Sequence, residues 1–102
     1  MTAPLVVVHP DAETLATATA ARLLLRLMEA QSVHSPVHVA LTGGSMGARV
    51  LAAAACSPIR EAVDWSVVHV WWGDERFLPP GDPERNETQA REALLDALPL
   101  PV

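Results

Sequence analysis

The chain has 102 residues, 50% of them hydrophobic and 19% charged, which suits one globular domain and excludes a disordered or fibrous chain. Its net charge of -5 argues against a general binder of nucleic acid or anionic membrane, because phosphate surfaces demand a basic partner. All seven basic residues are arginine, so neither a Schiff-base lysine nor a P-loop lysine is available.

Two further exclusions are local. The single Cys56 cannot form an internal disulfide, and it reads as a small buried hydrophobe rather than a nucleophile. The N-terminus MTAPLVVVHPDAE lacks a basic stretch ahead of a long apolar core, so it is not a secretory signal. No apolar run approaches the ~20 residues of a membrane span. No membrane association is expected, and a cytoplasmic location follows by default.

In chain order, residues 4–9 (PLVVVH) are a β-branched run of strand length. Asp11 offers a helix N-cap, and Ala16, Ala20, Leu23, Leu24, Leu27 and Met28 recur at helical spacing through Glu29. After a break at 33–36, residues 37–42 (VHVALT) predict a second strand, closed by Gly43-Gly44. Residues 46–55 predict a short helix carrying one charge; Ser57-Pro58 ends it, and Pro58 can restart a brief helical turn through Ala62. Residues 67–72 predict the third strand, and 73–85 a loop with three prolines and two glycines. Asn86 followed by Gln89 matches a capping box. Ala90, Leu94, Ala97 and Leu98 then share one face of a last helix, with Glu87 and Arg91 paired at i,i+4.

The resulting order, β-α-β-α-β-α, predicts an α/β fold: a Rossmann-like parallel sheet with helices on both faces. Three parallel strands make a narrow sheet, and the chain stops after a helix where another strand would begin. Residues 1–102 are therefore expected to be the N-terminal part of a single larger domain whose C-terminal half is absent.

Two stretches hold residues suited to chemistry. In LTGGS, residues 41–45, a Gly-Gly turn between strand and helix lets backbone N–H groups approach an anion, and Ser45 adds a hydroxyl. The bland alternative is a tight turn with Ser45 as a simple N-cap. In WWGDER, residues 71–76, Asp74 and Arg76 are two apart, so extended backbone points them the same way and Glu75 the other. The planar guanidinium fork of Arg76 suits phosphate or carboxylate, and Asp74 can hold that fork or bond a sugar hydroxyl. The alternative here is a solvated loop with a local Asp-Arg pair. Trp71 and Trp72 read as core packing, with one of them a candidate to line the cleft. His9, His34, His38 and His69 read as structural, since no two have metal-ligand spacing with a carboxylate partner.

LTGGS, then DWSVVHVWWGDERFLPPGDPERN, then AREALL, in that order and spacing, resemble the N-terminal half of a 6-phosphogluconolactonase over about residues 37–98. The resemblance implies hydrolysis of the 6-phosphogluconolactone ester to 6-phosphogluconate in the oxidative pentose phosphate pathway, with no metal or organic cofactor. It implies that Thr42, Gly43, Gly44 and Ser45 belong to the turn that holds the sugar phosphate, and that Asp74 and Arg76 belong to the active-site block. It also implies a general-base histidine in a Gly-His motif of the C-terminal half, which nothing here matches. The family often continues the glycine turn with Thr-Pro, where this chain has Met46-Gly47. A glucosamine-6-phosphate deaminase/isomerase is the nearest rival, but such enzymes resemble Asp-Glu-Tyr where this chain has Asp74-Glu75-Arg76. A non-catalytic sugar-phosphate-binding regulatory module is the alternative of another class. The isolated chain is expected to be inactive, and to self-associate or pair with the C-terminal half.

Overall fold

A computed structural model of the chain describes residues 3–101. Helix α1, Ala12–Gln31, begins where Asp11 adopts extended backbone and its carboxylate accepts the Thr14 amide at 2.7 Å. This satisfies one of the amides that a helix start leaves without an intrahelical partner. Ala16, Ala20, Leu24 and Leu27 form its buried stripe, while Met28 lies on the exposed side.

Strands β1, Val37–Leu41, and β2, Val68–Trp72, form a two-stranded parallel sheet with Val37 opposite Val68 and Leu41 opposite Trp72. Helix α2, Ser45–Ala55, is the crossover between them, followed by 3-10 turns at Pro58–Ala62 and Trp65–Val67. The Gln31 side chain donates to the Asp64 carbonyl at 2.7 Å and accepts its amide at 3.0 Å, tying the end of α1 to the entrance of β2. Buried Trp65 donates its indole N–H to the Arg60 carbonyl at 3.1 Å beside that joint.

Helix α3, Asn86–Ala93, is shorter than expected. Leu94 leaves the helical region at φ -150°, and a 3-10 turn follows at Leu95–Ala97. Leu94 and Leu95 are both buried, so packing is kept while the helix is broken. One core joins these elements, with Leu24 and Val68 the largest fully buried side chains and Leu51, Val63 and Leu94 around them.

The α/β class with a parallel sheet is as the sequence predicts, but the strand at residues 4–9 does not form. Leu5 and Val6 are each 82% exposed, and no ladder partner meets them among the described residues. β-branched residues favour a pleated, half-buried surface, and without a neighbour there is no such surface to favour. The sheet itself alternates. Val39, Leu41, Val70 and Trp72 face the core, whereas His38, Ala40, His69 and Trp71 lie on an open face. Trp71 is thus 58% exposed instead of core, and its indole N–H donates to His38 Nδ1 at 2.9 Å. Cys56 is exposed too: it caps the C-terminal end of α2, outside that helix's buried stripe. Among the described residues no helix is long and apolar enough to cross a membrane.

Candidate active site

Both sequence-predicted motifs leave the sheet at the same edge. Leu41 and Trp72 are register partners at the carboxyl ends of β1 and β2, and the Gly73 amide extends the pairing by donating to the Leu41 carbonyl at 2.9 Å. Gly73 therefore lies against Thr42, whose methyl would be 3.5 Å from a Cβ placed there. In open parallel sheets this is the edge at which ligands sit.

The glycine turn is built by specific backbone needs. Gly44 is the residue before α2 and has φ 93°, the left-handed region where an L side chain is strained. Ser45 is accordingly the first helical residue and not the cap. α1 begins under the Asp11 carboxylate and α3 under a carboxylate described below; the first-turn amides of α2 have no side-chain acceptor among the described residues. Thr42, Gly44 and Ser45 are exposed beside them. Gly47 lets α2 pack onto the turn, because a Cβ there would stand 2.8 Å from the Thr42 carbonyl oxygen. That requirement accounts for a glycine at a position where a larger residue would push the helix away.

In the second motif, Asp74 and Arg76 are exposed and Glu75 turns inward, the alternation that extended backbone dictates. Asp74 and Arg76 do not pair with each other, and the Arg76 guanidinium forms no ion pair among the described residues. The Glu75 carboxylate instead reaches the start of α3. Oε1 accepts the Asn86 amide at 2.6 Å and the Arg76 amide at 2.8 Å, and Oε2 accepts the Glu87 amide at 3.0 Å. Arg85 brings Nε to 3.6 Å from the same carboxylate. Partial burial alone would raise the Glu75 pKa; the amides of Glu87, Arg76 and Asn86, with the Arg85 charge, outweigh it and hold the carboxyl below its ordinary value.

Sequence reasoning missed Asn86. The capping box does not form: Arg85 occupies the N-cap position, and Gln89 donates to the Pro83 carbonyl. The Asn86 side chain is buried and donates from Nδ2 to Asp74, to its carbonyl at 3.1 Å and its Oδ1 at 3.2 Å. Its other side abuts the glycine turn. Gly43 has no positive φ, yet a Cβ there would overlap the Asn86 carboxamide. The sequence carries no local signal for this joint, because Gly43, Asp74 and Asn86 lie far apart along the chain.

The turn and α3 leave only about 10 Å³ between Thr42, Gly43, Asn86 and Ala90, so the site's exposed groups face outward to solvent. A concavity of about 620 Å³ lies elsewhere, along β2 between Trp71, Arg91 and Leu98, and holds none of the predicted site residues. His38 and His69 are register partners on the open sheet face, with ring centroids 5.1 Å apart; neither stands at the carboxyl edge.

The family described as glucosamine-6-phosphate isomerases/6-phosphogluconolactonase matches residues 10–102. The chain belongs to this family. Among curated relatives, it is 57% identical over 97 residues to the 6-phosphogluconolactonase of Streptomyces coelicolor, covering 95% of this chain and 37% of that protein. It is 41% identical over 94 residues to that of Mycobacterium leprae, covering 92% of this chain and 37% of that protein. Of solved structures, 6-phosphogluconolactonase from Trypanosoma brucei superposes with a TM-score of 0.78 at 28% identity, covering 95% of this chain and 37% of that one. The Leishmania guyanensis structure gives 0.76 at 29%, covering 96% and 37%. The chain thus spans a little over a third of the length of each of these four relatives.

Proposed function

We propose that this chain supplies the substrate-holding part of a 6-phosphogluconolactonase. The observation that carries the reading is the shared edge: a glycine turn whose helix amides lack a side-chain acceptor, adjoining a loop that presents Asp74 and an unpaired Arg76. In this reading the phosphate of the lactone sits on the amides of Gly43, Gly44 and Ser45 with the Thr42 hydroxyl, where backbone dipoles favour negative charge. Arg76 offers its planar fork to the phosphate or to the carboxylate that forms. Asp74, which does not pair with Arg76, is left to hold a sugar hydroxyl. Water adds to the lactone carbonyl, the bond from that carbon to the ring oxygen breaks, and the ring oxygen takes a proton. The general base is expected from outside these 102 residues, as the resemblance implies; His38 and His69 lie on the open sheet face and not at this edge. Glu75-Arg76 favours the lactonase over the deaminase reading, and the relatives above carry the lactonase name.

The test is a chimera in which this segment replaces the matching segment of the Streptomyces coelicolor protein. A pH-stat assay should show lactone hydrolysis well above the buffer rate, comparable to the parent enzyme. A folded chimera no faster than buffer rules the reading out.

A further inference from the structure

We infer that Asn86 and Glu75 are positioning residues that lock the glycine turn and the Asp74 loop into one unit; the inference rests on the lactonase reading above. Asn86 is 4% exposed, the only buried polar side chain among the described residues. A buried carboxamide is costly unless its hydrogen bonds are made, so its partners are fixed by necessity. It holds Asp74 by the carbonyl and by Oδ1, which leaves Oδ2 with no protein partner among the described residues. One carboxylate oxygen is thus tethered and the other is free to meet substrate. On its opposite side Asn86 fills the space that a side chain at residue 43 would need. The turn and the carboxylate are therefore spaced by one side chain.

Glu75 fastens the same joint from the other direction. A helix start is usually satisfied by a residue at its own N-cap. Here Arg85 stands at that position with no side-chain cap, and the acceptor comes from Glu75, which takes the Asn86 and Glu87 amides. Because Glu75 lies between Asp74 and Arg76, capping α3 from the loop fixes where both flanking side chains emerge. The loop cannot shift without uncapping the helix, and Asn86 cannot shift without releasing both Asp74 and Gly43.

The chimera separates this role from plain stability. Asn86→Leu keeps most of the volume and removes the donor to Asp74. Its kcat per folded molecule should fall about tenfold to a hundredfold, with KM little changed because the phosphate turn stays filled. A kcat equal to the unsubstituted chimera overturns the inference. Gly43→Ala should be severe in the native background and far milder once Asn86→Ala has removed the overlapping carboxamide. Equal penalties in the two backgrounds overturn it as well. Should the unsubstituted chimera fail to turn over the lactone, the lactonase reading falls separately. The same Gly43–Asn86 cycle is then read from thermal melts of the 102-residue chain, where additive shifts defeat the coupling and strongly non-additive shifts support it.

Discussion

Arg76 allows charge and geometry to be tested apart. Its guanidinium is exposed and has no partner among the described residues, so Arg76→Lys keeps the charge and loses only the fork. Losing a charge-assisted hydrogen bond costs about 1.5–3 kcal/mol, which should lower kcat/KM of the chimera about ten- to a hundredfold. The melting temperature should hardly move, since exposed substitutions stay within about 0.5 kcal/mol. Unchanged kinetics would remove Arg76 from the substrate site. Glu75 makes the opposite test, of structure through pH. Its carboxyl is held below its ordinary value, so the stability it contributes is present above the ordinary glutamate range and is lost as pH falls through the lowered folded-state value. Glu75→Gln should therefore melt below the native protein at pH 7, with the gap narrowing as pH falls below about 4. Melts across that range check it; a gap that is constant with pH would contradict the capping role.

At the level of elements, what the sequence reveals depends on how local the cause is. The Asp11 cap is legible because its partner, Thr14, is three residues away. The inward turn of Glu75 is legible from alternation, but its partners on α3, 11 and 12 residues onward across a proline-rich loop, are not. In the sequence Asn86 reads as a cap, because its burial depends on Gly43, far away in the chain, and on Asp74. The run at 4–9 has strand composition yet no strand, since pairing is a property of a neighbour and not of the run. The contrast is measurable. Leu24 in the α1 stripe is fully buried, and Leu24→Ala should cost about 2–5 kcal/mol. Val6→Ala should cost less than about 0.5 kcal/mol in the isolated chain, as expected of an exposed site. Denaturant titration of both variants decides it, and a large loss at Val6 would show that the run is paired.

On the scale of the whole molecule, a parallel sheet is normally covered on both faces. Here one face carries His38, His69 and Trp71 in the open, and both strands have a free edge. Such edges template further pairing. The 102-residue chain alone should self-associate at micromolar concentration and leave lactone hydrolysis at the buffer rate; sedimentation showing a stable monomer, or clear catalysis, would contradict this. The site has the same character as the sheet. Its residues are gathered at one edge, where Thr42, Asp74 and Arg76 are exposed.

The glycine turn and the Asp74-Arg76 loop, joined through Asn86, are proposed to hold one substrate between them. The direct measurement is the electron density of the chimera crystallised with 6-phosphogluconate. The phosphate should lie within hydrogen-bonding distance of the Gly44 and Ser45 amides, with the sugar chain running toward Asp74 and Arg76. Phosphate density elsewhere, for instance in the groove along β2 beside Trp71 and Arg91, would contradict it.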